Sequence, residues 1–428
     1  MNRTATVAAI AGVTAVAICA SPAAVALEFK SDVGTGVTYT DNARLTSTNE
    51  EDDWIVRGVL GASLKQTGGP LEATLSTSLS YSDYVNNSYS EQTYFNLGAV
   101  ADWEQIVNRL NWQLSDFFTQ GSVNSIDPDT PDNTQDINIF SFGPNINFPV
   151  NGRHNFTINP VFQDYYYEIS DTDNQQYGMT AGWAYQMYTT FNVGLDVGYT
   201  QVDYEDDLNS DYVSTSYHAV ASGTRPKSTY TLNFGVTNID RDKSSDQNGL
   251  SGSLDWLFNI SGKSSLRAYY VSDISDSSSD YYSSAVDPDT GDPNNVQVSG
   301  DVLRNNTMTI TYTRTGTELD TRVSLEVRDL DYKESPDDRE VTVLSGSLNR
   351  RVSSFISTGL FAQYTRTKET DMSRTDKVYR IGGDVAFKLS RKLTANVGLA
   401  YQDKQSTDSI DEYTEYNVAA GINYALWQ

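Results

Sequence analysis

From about residue 27 to the end of the chain, apolar and polar positions alternate with a period of two, in segments of about ten residues joined by turns and loops in strict succession. That period belongs to strands, whose successive side chains face opposite ways. The last segment is the plainest. Tyr416, Val418, Ala420, Ile422, Tyr424 and Leu426 fall on one face, and Asn417, Ala419, Gly421, Asn423 and Ala425 on the other. One face is greasy and the other small and polar. A soluble sandwich would turn the greasy faces toward a shared core, whereas a barrel in lipid wears them outside and tolerates polar residues inside. The pattern predicts an all-β protein: a transmembrane antiparallel up-and-down β-barrel of about twenty strands, from 28–39 through 413–427, with eighteen as the alternative count.

The connections agree with an even count whose termini lie on the periplasmic side. Short links, such as Gly68-Gly69, Asn151-Gly152 and Arg391-Lys392, alternate with longer ones at about 40–53, 119–135 and 273–301, the usual arrangement of periplasmic turns and extracellular loops. Charge divides the same way. Arg109, Arg153, Arg225, Lys227, Lys263, Arg314, Arg350, Arg351, Arg391 and Lys392 cluster at the short turns; Glu50-Glu51-Asp52-Asp53, Glu205-Asp206-Asp207 and Asp337-Asp338 sit in the long loops. The two rims are therefore expected to carry opposite signs.

Residues 1–26 read as a signal peptide, with Arg3 in the n-region, an apolar stretch over 7–20 and Ala24-Val25-Ala26 as a small-x-small cleavage site. The barrel is expected over 27–428. The only cysteine, Cys19, follows the bulky Ile18 and would leave with the signal, so the mature chain has no thiol for disulfides, catalysis or metal binding. No later apolar run reaches the ~18 residues of a spanning helix. A mean hydropathy of -0.47 suits a barrel whose lumen and loops outweigh its lipid face. A net charge of -26 argues against nucleic acid. The 28 Tyr, 6 Trp and 15 Phe suit aromatic girdles, although aromatic residues also favour strands in general.

Catalysis is poorly supported. The two histidines are His154, in an expected turn, and His218, in mid-strand, and no serine or aspartate stands at a recognisable spacing from His218. No catalytic residue, cofactor or resident metal is expected. The Asp287-Pro288-Asp289-Thr290-Gly291-Asp292 run has calcium-loop composition but lacks the closing Glu of an EF-hand, and reads more readily as a solvated acidic loop; divalent cations bridging it to lipopolysaccharide phosphates fit either reading. On the lumen face, the alternation sends Arg267, Asp320, Arg322, Glu326, Arg328, Arg380, Asp384 and Lys388 inward. Such charges either orient passing solutes or form salt bridges that stiffen the wall. The longest loop, 273–301, carries Tyr281 and Tyr282 besides Asp287, Asp289 and Asp292, and its length suggests a constriction folded over or into the lumen.

The stretch Gly36-Val37-Thr38-Tyr39-Thr40-Asp41-Asn42-Ala43-Arg44-Leu45 and the Phe142-Gly143-Pro144-Asn145-Ile146 strand resemble the outer-membrane β-barrel porins found with exopolysaccharide biosynthesis and exosortase loci. The resemblance implies a barrel serving surface polysaccharide export or envelope passage, with polysaccharide export machinery as a partner and no catalytic residues to carry over. The expectation is an outer-membrane protein of a Gram-negative bacterium, in contact with lipid and lipopolysaccharide, forming a passive or loop-gated conduit for polar solutes or polysaccharide. The alternative is a structural or adhesive surface barrel with a closed lumen and acidic partner-binding loops.

Overall fold

A computed structural model describes residues 26–278, 299–370 and 373–427. The strands are β1 (Ala26–Thr40), β2 (Asp53–Thr67), β3 (Leu71–Tyr84), β4 (Gln92–Ile106), β5 (Leu110–Ser122), β6 (Thr134–Val150) and β7 (His154–Tyr167). There follow β8 (Asn174–Tyr188), β9 (Phe191–Tyr204), β10 (Tyr212–Arg225), β11 (Ser228–Arg241), β12 (Gln247–Ser261), β13 (Ser264–Asp276) and β14 (Val302–Arg314). The last six are β15 (Leu319–Tyr332), β16 (Arg339–Arg351), β17 (Ile356–Glu369), β18 (Arg374–Lys388), β19 (Leu393–Ser406) and β20 (Tyr413–Trp427). Each pairs antiparallel with its sequence neighbours, and the ring closes where β1 meets β20, with Val33 opposite Tyr424 and Tyr39 opposite Val418. Closure leaves no unpaired edge, the condition for a sheet to stand in hydrocarbon.

Chemistry differs between the two faces. Leu195, Phe234, Leu360, Ile381 and Leu399 are among many large apolar side chains exposed on the outside, and none has a protein core to join. So much exposed apolar surface is unsustainable in water and is what a bilayer demands. Aromatic residues gather at two levels of this surface. Trp54, Tyr81, Tyr177, Tyr199, Tyr217, Tyr379 and Tyr416 lie toward the loop ends of their strands, and Trp103, Phe148, Phe156, Phe387 and Tyr424 toward the turn ends. Several pair across strands, as Tyr39 does with Trp54 (5.0 Å between ring centroids) and Tyr401 with Tyr416 (4.6 Å). These are interfacial girdles. The protein is a β-barrel of the Gram-negative outer membrane.

Strands of 13 to 17 residues exceed the ~9–11 needed to cross the hydrocarbon, so the wall continues beyond it. There the interior fills. Ile137, Ile139, Tyr165 and Tyr167 form one buried cluster; Val202, Tyr204, Tyr212, Ile239, Ile274 and Val302 a second; Leu303, Leu330 and Tyr332 a third. All stand at the loop ends of their strands. Along β15 the inward side chains pass from exposed (Asp320, Arg322) to buried (Glu326, Arg328, Leu330, Tyr332) as the strand climbs toward the loops. The lumen is wet on the periplasmic side and packed at the extracellular mouth.

Part of that packing comes from the loop end of β13 parting from β12, while β14 stays laddered to β15 up to Leu303 opposite Tyr332. β12 pairs with β11 from Gln247 onward, but its ladder with β13 stops at Gly252 opposite Ser272, whereas the β13–β14 ladder runs on to Asp276 opposite Val302. Released from β12, the last residues of β13 turn inward with the first of β14. Ile274 and Val302 then pack on Val202, Tyr204, Tyr212 and Ile239 of the β9–β11 wall. Water is the competing environment inside the barrel, so each fully buried side chain contributes about 1.5–3 kcal/mol, which it could not do on the lipid side.

Candidate functional site

Loop 123–133, between β5 and β6, also folds inward. Asn133 braces it: its amide nitrogen donates to the carbonyls of Asn124 (2.8 Å) and Pro128 (3.1 Å), and its Oδ1 accepts from the Asn124 N–H (2.9 Å). The tip reaches the opposite wall, where Lys404 Nζ donates to the Ile126 carbonyl at 2.9 Å and Arg339 Nη1 to Ser125 Oγ at 2.5 Å. Between the loop and the β17–β20 wall lies a polar cavity of about 200 Å³, bounded by Asp127 and Asp129 on the loop and by Gln363, Arg380, Gln402, Lys404 and Tyr413 on the wall.

The strand register builds the wall. Gln363 on β17, Arg380 on β18, Gln402 on β19 and Glu415 on β20 stand opposite one another at one level. One step nearer the loops, Asp376 receives Arg374 (2.7 Å), Lys404 (3.3 Å) and the Ser406 hydroxyl (2.6 Å), and Arg374 also meets Asp411 (3.0 Å). Burial pushes the Asp376 carboxyl up, but hydrogen bonds from Arg374 and Ser406 with the Lys404 charge outweigh it and hold the group below the usual carboxylate range. Arg380 takes no ion pair among the described residues. Its guanidinium lies 5.6 Å from the centre of the Phe361 ring. That ring lies flat because Gly382 leaves room: a Cβ there would sit 2.5 Å from a Phe361 ring carbon and 2.7 Å from the Leu399 carbonyl oxygen. Glu415, the acid at this level, is turned to Thr40, whose hydroxyl donates to it at 2.7 Å.

No protein-family model and no curated protein matches the sequence. Solved structures do. The FrpB iron transporter from Neisseria meningitidis is 9% identical, with a TM-score of 0.48 over 93% of this chain and 82% of its own. The siderophore receptor PirA from Pseudomonas aeruginosa is 10% identical, with a TM-score of 0.43 over 93% and 80%. An anion-selective porin from Comamonas acidovorans is 11% identical, with a TM-score of 0.41 over 94% and 100%.

The other lumen charges fall into different surroundings. Arg267 grips Asp255 through two nitrogens, each at 3.0 Å. Asp320 accepts from the Gly316 N–H at 2.9 Å and so closes a periplasmic turn. Glu326 and Arg328 form a buried pair at 3.1 Å, and Arg328, 2% exposed, has no hydrogen-bond partner for its Nε and Nη1 among the described residues. Asp384 lies over Gly359, and Lys388 is exposed at the turn end of β18. Tyr416, Val418, Ile422, Tyr424 and Leu426 are exposed on the outer face of β20. Tyr281, Tyr282, Asp287, Asp289 and Asp292 lie outside the described residues. The stem leading to them is inside the mouth: Ser278 accepts from Tyr167 (3.2 Å) and Asn174 (3.0 Å), and Asp276 from Tyr204 (2.9 Å).

Nothing in the order of residues points to a partner for His218, yet its Nε2 is 2.8 Å from Ser251 Oγ, which in turn lies 2.7 Å from Thr237 Oγ1. Register explains it. His218 stands opposite Gly235, and Gly235 opposite Ser251, so the ring reaches across a position without a side chain. Asp196 is the cross-strand partner of His218 on the other side, but its carboxylate leans toward Gly182 and Thr157. A serine relay needs a carboxylate on the second imidazole nitrogen and an accessible hydroxyl; no hydrogen bond joins Asp196 to His218, and Ser251 is 3% exposed. The pair is built into the wall. His154 accepts at Nδ1 from Trp183 (3.1 Å) in the periplasmic girdle. Among the described residues no three His, Cys, Asp or Glu side chains converge as a metal site.

Burial, reinforced by the Asp276 charge, raises the phenol pKa of Tyr204 and Tyr212 well above the ordinary value. A raised value in the fold favours the protonated form. Its stabilisation is complete below the unfolded value of about 10 and is lost as pH climbs from there toward the folded value. The mouth is therefore expected to loosen only in strong alkali, with part of the tyrosine ionisation, followed by ultraviolet difference absorbance, delayed beyond that of the unfolded chain. Simple titration of every tyrosine near 10 would contradict this packing.

Proposed function

We propose that the barrel is a loop-constricted conduit for small polar solutes across the outer membrane. The observation that carries this is the junction of a water-accessible, charged lumen wall with a polar cavity bounded by loop 123–133. Polar groups on a low-dielectric wall exchange hydration for protein contacts and hold small hydrophilic solutes in passage. The same filling of the mouth is a barrier to an extended polysaccharide, which would need both the loop and the β13–β14 hairpin displaced. A closed structural barrel is the rival. A catalytic role finds no support in the His218–Ser251 pair as it stands. On this reading the acidic extracellular loops face lipopolysaccharide, with divalent cations between them and its phosphates.

Single-channel recording in planar bilayers tests it. Discrete small conductance steps are expected from the native protein, and steps several-fold larger when residues 124–132 are replaced by a short Gly-Ser link. Bilayers that stay silent with both proteins, each shown to be folded, would leave the closed barrel as the better description.

A further inference from the structure

The charges around the mouth cavity do not cancel locally. Of the cations on its wall, Arg374 and Lys404 are both committed to Asp376, and Lys404 also holds the Ile126 carbonyl. Arg380 makes no direct ion pair among the described residues: Glu415, turned to the Thr40 hydroxyl, feels its charge only from a distance, and the guanidinium lies over Phe361 between Gln363 and Gln402 on the neighbouring strands. Across the cavity, among the described residues, the Asp129 carboxylate accepts from the Ser122 hydroxyl (3.2 Å) and that of Asp127 from the Asn124 amide (3.0 Å), and neither meets a cation directly. Tyr413 stands between, taking the Gln402 amide at 2.6 Å and feeling the fields of both Asp129 and Arg380. Among the described residues the cavity thus has a positive wall whose arginine makes no direct ion pair and a negative wall whose two carboxylates make none.

We propose that this cavity is a binding subsite for small zwitterions of the amino-acid type, the solute's carboxylate on Arg380 and its ammonium group on Asp129. The proposal deepens the conduit reading and rests on it for how the solute arrives. A simple anion drawn to Arg380 meets the loop carboxylates, and a simple cation drawn to Asp129 meets the guanidinium. A molecule carrying both charges satisfies both walls. Arginine's planar fork is suited to a carboxylate, and a fork already held over an aromatic ring loses little freedom on binding. The flanking Gln363 and Gln402 amides supply further donors to that carboxylate. The cavity, with a volume of about 200 Å³, has room for a small amino acid.

Isothermal titration of the detergent-folded protein with L-serine, lactate and ethanolamine is the test, since it requires no open path. Serine is expected to bind, and lactate and ethanolamine, each lacking one of the two charges, to bind about tenfold more weakly, about 1.4 kcal/mol. Arg380→Gln and Asp129→Asn should each weaken serine binding by a similar factor. Asp129 lies on a loop, so its variant keeps the test alive if the strand variant fails to fold. Absence of serine binding, lactate binding as tightly as serine, or serine affinity unchanged in a folded variant would each overturn the proposal. Serine binding without conductance in bilayers would defeat the conduit reading and leave the subsite standing; conductance without serine binding would do the reverse.

Discussion

Replacing Arg241 with alanine is expected to cost about 3–5 kcal/mol and to free the inward hairpin from the wall. Arg241 ends β11 with its side chain 2% exposed, 3.7 Å from Asp301, itself 7% exposed, and 2.8 Å from Glu334. It ties together three chain segments. Asp301 also accepts from the backbone N–H groups of Glu334 (2.7 Å) and Ser335 (3.1 Å), so the carboxylate cannot follow a lost partner into water without dismantling the β15–β16 loop. A buried charge left alone costs more than the pair contributes, because desolvation is then uncompensated. The double variant Arg241→Met, Asp301→Asn should recover most of the loss. Chemical unfolding from detergent, followed by the gel-mobility shift of the folded barrel, gives the free energy, and hydrogen exchange at residues 299–301 and 334–335 locates it. A single variant as stable as the native protein, with unchanged exchange there, would mean that the mouth is held otherwise.

Leu399→Arg is the second large effect, about 2–4 kcal/mol or outright failure to assemble, because an arginine on the lipid face near mid-membrane must leave water. Leu399 is 65% exposed in the middle of β19, with Val418 opposite it on β20. The neighbouring Ala400 faces the lumen, where the same arginine would stay hydrated. Ala400→Arg should therefore fold with near-native stability and alter conductance. Equal tolerance of both substitutions would contradict the inside-out polarity of the wall.

Much of the architecture is legible along the chain because lipid imposes its demand residue by residue. Wherever a strand crosses hydrocarbon, every second position must be apolar, and twenty such stretches stand out without any knowledge of which residues touch. The pattern fades where that demand ends. β5 reads as 110–118 from alternation but runs to Ser122, and β15 reads as 319–328 but runs to Tyr332. In the extra length of ladder above the bilayer the outer face meets water and the inner face packs in the mouth, so at Asp329-Leu330-Asp331-Tyr332 the apolar side chains point inward and the lipid-facing pattern is lost. The ladder continues there because backbone hydrogen bonding needs no apolar face.

The mouth is different in kind. Loop 123–133 reads as one more acidic, proline-bearing loop, and nothing in its order of residues separates lying across the lumen from extending into solvent. Its fixing points, Arg339 and Lys404, lie 214 and 278 residues from their partners. Ser251 is 33 residues from His218 and reaches it only because two hairpin registers bring Gly235 between them. Arg380 could be assigned to the lumen by parity alone, but its lack of an ionic partner follows from Lys404 and Arg374 having closed on Asp376 and from Glu415 having turned to Thr40.

By itself, then, the sequence determined a closed antiparallel barrel of about twenty strands and its polarity, since both follow from the local solvent that every residue must face. Only the tertiary structure decided that the extracellular mouth is filled, which charges there neutralise one another and which are left over. Those outcomes depend on side chains hundreds of residues apart competing for the same partners, and that competition leaves no periodic trace in the order of the chain.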